Sequence, residues 1–422
     1  MKAKHMKSLI AALCLMAASA FAVSPTIIPV GLTANVLNAI PSAYPPVSTT
    51  ELPDTPARVI QINSSVTLVA GSQYASFRVD GIGSTPDLNH LSRNADPALI
   101  SAQDPDYNDY RDFEWLHALW VDPSNTENVH ALAHVEYHGH RYPSISGCTG
   151  GYQDCWANVV TALYSTDGGV TFNRYAPSDS LVIRNNFGYV PNVGHEYGFT
   201  NPTNIIQVGD YLYDVVYSRQ HMNQKEGNYL IRKHVDAEWN DWYIRRLTQW
   251  RSLKTEMDMD GQDLGKIINL GVVRGTSLEA KFDDTTPMRV HSISKREPTA
   301  NASATFVALM SAKKPFDRAD DGYYIALSTD LINWTEPRHF VWADYRKDMQ
   351  CAEDPSATNV QVFRYGALIE PGSTEPNFET IGQTPMLYAT MISYPACTGS
   401  GATEKLVKFK VYGDAIFRDV YP

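Results

Sequence analysis

The 422-residue chain predicts an all-β fold built from repeated units, and three observations carry that expectation. Short apolar or alternating runs recur between clusters of Gly, Asp and Asn. Sustained helical periodicity is scarce. One strand–turn–aromatic unit occurs twice. With 24 Tyr, 8 Trp, 26 Gly and 25 Pro, the composition suits an aromatic-rich fold of many strands and turns.

The chain opens with Lys2, Lys4 and Lys7, an apolar run from Leu9 to Ala18, and then Ala20-Phe21-Ala22. This is the pattern of a secretory signal peptide over residues 1–22, cut after Ala22. The run is too short to span a bilayer and no later stretch is long enough, so the expected protein is secreted or periplasmic and not inserted in a membrane. Residues 23–52, rich in Pro, Ser and Thr, are expected to form an N-terminal arm, and residues 53–422 one domain. Expected strands follow at Val66–Ala70, Val129–Tyr137, Val159–Tyr164, Tyr211–Tyr217, Thr305–Met310, Tyr323–Leu327, Met386–Ile392 and Leu406–Val411. The charged stretch Leu247–Leu270 is expected to hold an insertion or a short helix.

Loss of the three lysines takes the formal charge from −11 to −14. Such an acidic protein is not built to bind nucleic acid or anionic membranes. Cys148, Cys155, Cys351 and Cys397 remain after cleavage, and an even number in an exported chain points to two disulfides with three connectivities open. Cys148–Cys155 and Cys351–Cys397 are the expected pairs, the first because it closes a short Gly-rich loop.

The repeated unit runs Ala162-Leu163-Tyr164-Ser165-Thr166-Asp167-Gly168-Gly169-Val170-Thr171-Phe172 and again Ala326-Leu327-Ser328-Thr329-Asp330-Leu331-Ile332-Asn333-Trp334. The Asp side chain accepts from turn amides, and the aromatic plugs between strands. The first copy resembles the Asp-box of sialidase-like propellers, and the second the Ser-x-Asp-Leu-x-x-Trp turn of five-bladed propeller glycosidases. The resemblance implies a five-bladed β-propeller: the two aspartates, 163 residues apart, fit two blades of roughly 80 residues. Seven shorter blades are the alternative. Asp167 and Asp330 are expected to be fold staples outside any site.

The most informative stretch is His134-Val135-Glu136-Tyr137-His138-Gly139-His140. In an extended strand His134, Glu136, His138 and His140 share one face, with Val135 and Tyr137 on the other. Imidazoles and a carboxylate on one face need partners or water, which points to a wet cavity. In a propeller, polar residues near the start of each blade meet round the central channel. Asp54 and Arg58 stand at the first blade, Arg111-Asp112 precede the second, His195 and Asn204 stand at the third, Glu279, Asp283 and Asp284 in the fourth, and Glu353 at the fifth.

The resemblance implies a glycan-cleaving site with acidic residues from several blades. Mapped by position, Asp54 is the base or nucleophile, Glu136 the acid, and Glu353 a third carboxylate that tunes or orients. Arg58, His134, His138, His195 and Asn204 are the expected substrate-binding residues. No cofactor is expected; a structural metal held by His134 and His138 stays open. Two other readings compete. One is a propeller polysaccharide lyase, with His134, His138, Tyr137 or Tyr197 as acid and base and Arg219 at a uronate carboxylate. The other is a non-catalytic glycan-binding propeller. Phosphate-loop, dinucleotide and serine-esterase signatures are absent from the sequence.

Overall fold

Each of the eight expected runs overlaps a strand in the computed structural model, because β-branched and aromatic residues at period two give a strand faces that gain by burial. The structure describes residues 27–33, 54–62, 65–70, 75–81, 91–93, 96–219, 221, 226–246, 249–254, 288–297, 305–312, 321–335, 337–344, 347–398, 402–411 and 416. The expected signal peptide, and Glu279, Asp283 and Asp284, lie outside these residues.

The described strands form four sheets, and the largest divides at the parallel contact of Tyr197–Thr200 with Trp156–Ser165, which leaves five mainly antiparallel units in chain order. The first is Arg58–Ile62, Ser65–Ala70, Ala75–Gly81 and Leu91–Arg93. The second is Phe113–Val121, Val129–His138, Trp156–Ser165 and Asn173–Arg174. The third starts with Tyr197–Thr200 and Ile206–Val208, which both pair with Tyr211–Arg219, and continues through Gly227–His234, Tyr243–Arg246 and Gln249–Ser252. The fourth is Met288–Arg296, Phe306–Ala312, Gly322–Ser328 and Arg338–Trp342. The fifth is Thr358–Ile369, Met386–Ala396 and Thr403–Lys410, whose outer edge pairs with Ile27–Thr33 from the other end of the chain. Part of the stretch expected as a leader arm is therefore the outermost strand of the last unit.

The apolar clusters show how the units sit together. Ile60 of the first unit packs on Leu116 and Val135 of the second. Leu132 and Val160 of the second meet Phe199 and Val216 of the third. Val215 and Leu230 meet Val290 and Ala308; Leu309 and Ile325 meet Leu368 and Leu387; and Ala367 and Ile369 of the fifth return to Ala57 and Val59 of the first. Each unit therefore buries both faces against its neighbours, and the described strands close a β-propeller ring. Asp167 follows the strand Trp156–Ser165 of the second unit and Asp330 the strand Gly322–Ser328 of the fourth.

Polar side chains join the blades where apolar ones do not. Asn204 Nδ2 donates to the Ile293 carbonyl (2.7 Å), and its Oδ1 accepts from Ile293 N (3.0 Å). That amide, expected at a sugar hydroxyl, is used up by the backbone of the next blade. Asn377 clasps Val121 in the same way, at 2.6 and 3.0 Å.

Arg58 is buried on the axis. Its Nε donates to the His117 carbonyl (2.7 Å), and its Nη2 to those of His291 (2.9 Å) and Pro202 (3.4 Å). One guanidinium thus ties the first blade to the second, third and fourth. The expected role for Arg58 in binding substrate gives way to a structural one, because its donors already face backbone acceptors.

The repeated turns act as staples. Asp167 accepts from Ser165 Oγ (2.6 Å), Thr171 N (3.0 Å) and Thr171 Oγ1 (2.6 Å), across Gly168 and Gly169, whose φ values are 69° and 76°. Asp330 accepts from Ile332 N (2.9 Å) and Asn333 N (2.7 Å). Cys148 is bonded to Cys155 and Cys351 to Cys397, the two expected pairs. No described helix is long and apolar enough to cross a membrane.

Candidate active site

The strand Val129–His138 behaves as its alternation requires. Val135 and Tyr137 enter the apolar cluster between the first two blades. His134, Glu136 and His138 turn the other way and touch one another: His138 Nε2 lies 3.0 Å from Glu136 Oε2, and His134 Nε2 3.7 Å from Glu136 Oε1. Aromatic rings fix both imidazoles. His134 stacks on Trp115 with centroids 5.4 Å apart, and His138 stacks on Tyr152 at 4.7 Å. Tyr152 is carried by the disulfide-closed loop Cys148–Cys155 and keeps 43% of its surface exposed, so the loop sets an aromatic ring at the rim.

Asn158 extends this cluster to the third blade. In the strand Trp156–Ser165 it stands opposite Glu136. Its Oδ1 accepts from Trp156 Nε1 and faces His134 Nε2, both at 3.0 Å, while its Nδ2 donates to Glu196 Oε1 and the Tyr197 carbonyl, both at 3.1 Å. The close approach depends on Gly198, which pairs in parallel with Asn158 at φ +96°. A Cβ there would stand 2.1 Å from the Asn158 carbonyl oxygen. No residue but glycine fits, and without that contact Glu196 would not reach the cluster. Glu196 is in turn held by Arg219 Nη2 at 3.0 Å.

Asp54 completes the set from the start of the first blade. It is exposed to solvent, yet burial among protein atoms is the main influence on its carboxyl and raises it. Both hold at once for a group on the wall of a hollow. The Tyr365 hydroxyl donates to its Oδ1, and this bond, with the charges of Arg364 and Arg289, opposes the rise. Glu136 is pushed well above the usual carboxylate range, first by burial and then by the charges of Glu196 and Asp54. Arg219 and Arg289 pull the other way without overcoming this. Glu136, Glu196 and Asp54 also act on the Tyr152 hydroxyl, which burial first and then these charges raise. Asp54, Glu136 and Glu196 therefore share one electrostatic environment.

The remaining expected residues fall elsewhere. His195 is exposed, with its ring 5.4 Å from that of His221. Its neighbour Glu196 turns inward instead, as successive residues of an extended segment must. Glu353 sits exposed on the helix Lys347–Glu353, anchored by the Cys351–Cys397 disulfide. The fifth blade contributes Tyr365 and Arg364 beside Asp54 in its place. Sequence reasoning missed Glu196, Asn158, Arg289 and Tyr365. The signal for Glu196 was its adjacency to His195 at the start of a blade. Among the described residues, no group of three His, Cys, Asp or Glu side chains is placed to hold a metal ion. His134 and His138 instead spend Nε2 on Asn158 and Glu136.

Burial lowers both His134 and His138 to about 3, so both rings are neutral at neutral pH. An unfolded chain protonates such a ring near its ordinary 6.5, whereas the folded chain refuses the proton until about 3. The stabilising effect is therefore complete above pH 6.5 and is lost as pH falls towards 3, about 2 kcal/mol per ring by pH 5. Denaturant unfolding of the wild type and His134→Gln at about pH 7.5 and about pH 5 checks this. The variant should lose about 2 kcal/mol less on acidification; equal losses would mean that His134 is not a buried neutral ring.

No family model matches the chain, and no curated protein matches it in sequence. Similarity to solved structures is confined to the course of the chain. An α-L-arabinofuranosidase from Lactobacillus brevis is 10% identical, with 85% of this chain and 90% of that one covered at a TM-score of 0.45. The endo-arabinase from Bacteroides thetaiotaomicron VPI-5482 is 11% identical over 85% and 94%, with a TM-score of 0.40. The catalytic domain of the α-L-arabinofuranosidase from Coprinopsis cinerea is 9% identical over 84% and 90%, with a TM-score of 0.39. Likeness at this level does not reach side chains, so the functional reading rests on the site itself.

Proposed function

We propose that the protein is an exported glycoside hydrolase acting on an oligo- or polysaccharide in the hollow lined by Asp54, Glu136 and Glu196. The observation that supports this is a pair of carboxyl groups from different blades whose surroundings set them apart. Glu136 is buried, beside a neutral histidine and two other acids, and burial favours its protonated form. Asp54 is open to solvent and takes a hydrogen bond from Tyr365 that favours its ionised form. Such a separation assigns acid and base.

Glu136 donates its proton to the glycosidic oxygen as the bond to the anomeric carbon breaks. Asp54 attacks that carbon or takes a proton from the attacking water, and water supplies the new hydroxyl. Glu196, held by Arg219 and Asn158, takes the place expected for Glu353 and raises Glu136 by its charge. Two disulfides suit a protein that works in an oxidising compartment.

Digestion of a broad glycan panel, with mass analysis of products, tests the reading. The expected result is fragments that have gained the elements of water and carry new reducing ends. Products with an unsaturated, ultraviolet-absorbing uronate would establish a lyase instead. Binding without turnover across the panel would leave a glycan-binding propeller.

A further inference from the structure

Arg289 is the second residue of Met288–Arg296, at the start of the fourth blade's innermost strand. Its side chain is half-buried, and its Nε is cut off from water with no hydrogen-bond partner. The Tyr217 ring lies 5.9 Å from its guanidinium carbon, and among the described residues no carboxylate pairs with it. Two other arginines of this region are engaged: Arg219 holds Glu196 at 3.0 Å and faces Glu226 at 3.8 Å, and Arg58 is bonded to backbone carbonyls.

The charge of Arg289 still acts on both Asp54 and Glu136. It is near enough for both carboxyl groups to feel and too far to form an ion pair with either. Arg219 faces the same Tyr217 ring at 5.6 Å and holds Glu196, which sets Arg289 beside the carboxylate cluster without pairing it. A guanidinium presents donors in a fixed fork that matches the two oxygens of a carboxylate. A doubly charged phosphate or sulfate would meet stronger repulsion from Asp54 and Glu196, whereas one delocalised negative charge is balanced by Arg289.

We propose that Arg289 receives the carboxylate of a uronate unit, so that the substrate class is an acidic, uronate-bearing glycan. This rests on the reading of the hollow as a glycan-cleaving site.

Matched pairs of ligands test the proposal. Oligogalacturonate, oligomannuronate and glucuronoxylan oligosaccharides are compared with the same molecules after chemical reduction of each carboxylate to a primary alcohol. Binding to the full chain is measured calorimetrically in the Glu136→Gln background, which stops turnover during titration. At least one acidic member should bind about tenfold or more tighter than its reduced partner, and Arg289→Gln should abolish that preference. Arg289→Lys keeps the charge without the fork and should retain a preference of a few-fold. It also serves if the glutamine variant does not fold.

Equal affinity for the two members of every pair, failure of all three acidic ligands to bind, or a preference that survives Arg289→Gln would overturn the proposal. Arg289-dependent preference for the acid, with no hydrolysis by the wild type, would uphold it and remove the hydrolase reading. Hydrolysis of neutral oligosaccharides at rates indifferent to Arg289→Gln would do the reverse.

Discussion

Replacing Glu136 by Gln is expected to lower kcat about a thousandfold on natural glycosidic linkages while changing substrate affinity by no more than about threefold. The amide keeps the shape of the side chain and can still meet His138, which lies 3.0 Å from Oε2. What it lacks is a proton to give. The size of the loss should depend on the leaving group. An alkoxide expelled from a sugar polymer needs protonation as it departs, whereas a dinitrophenolate does not. Aryl glycosides with such leaving groups should therefore lose about tenfold or less with the same variant. Asp54→Asn should behave differently, because attack at the anomeric carbon is needed whatever leaves. Its loss should be large and similar for both substrate types. Steady-state rates for the two variants on paired substrates check the assignment. If Glu136→Gln were to lose activity equally on good and poor leaving groups, Glu136 would not be the proton donor.

The pattern of Glu136 was legible in the sequence because period two governs a strand, and polar residues at 134, 136 and 138 on a β-branched, Ala-rich background leave little choice of face. The middle strands of the blades were legible for the same reason. Several inner strands were not. Met288–Arg296 reads Met-Arg-Val-His-Ser-Ile-Ser-Lys-Arg and does not look like a buried strand, yet six of its nine residues are buried. Strands that surround an axis carry polar residues whose partners come from other blades, so burial there is satisfied by hydrogen bonds rather than by apolar surface. Arg58 and Asn204 illustrate the consequence. Each was read as a ligand-binding group because it is polar and stands near the start of a blade. Each proves to be committed to backbone hundreds or tens of residues away, which no local pattern can reveal. Glu196 was hidden for the opposite reason: a histidine beside it drew the functional reading, and only the parallel pairing at Gly198 decides which of the two faces inward. Glu353 failed because position near a blade's start does not fix reach. The chain from Cys351 to Thr358 runs through a helix and a turn on the surface before the strand begins.

Arg58→Met is expected to destabilise the fold by about 3–5 kcal/mol. The substitution preserves much of the apolar stem while removing every donor from the axis. The carbonyls of His117 and His291 then lose the Arg58 donor at once, while that of Pro202 keeps the His117 Nδ1 donor at 2.5 Å and loses only the longer contact. A buried carbonyl left without a partner costs about 1–3 kcal/mol. Opposing this, the native fold spends free energy holding a cation out of water: burial lowers the Arg58 guanidinium to about 9, with the charge of Asp214 resisting the change. Relief of that burden is what keeps the expected loss near the value for one broken buried network rather than the sum of its bonds. Lysine should not restore stability, because a single ammonium cannot present the planar set of donors that reaches all three blades. Asp214 supplies the sharper test. It is fully buried, with Thr203 N and Oγ1 donating to its Oδ1 at 2.7 and 2.8 Å, and without Arg58 it loses the countercharge that acts on it. Adding Asp214→Asn to Arg58→Met should therefore cost less than the two single losses together, by about 1 kcal/mol or more. Urea or guanidinium unfolding of the four proteins gives the coupling directly. A change under about 1 kcal/mol for Arg58→Met, or strict additivity with Asp214→Asn, would mean that the blades are held by their apolar interfaces and that the axial guanidinium adds nothing to the ring.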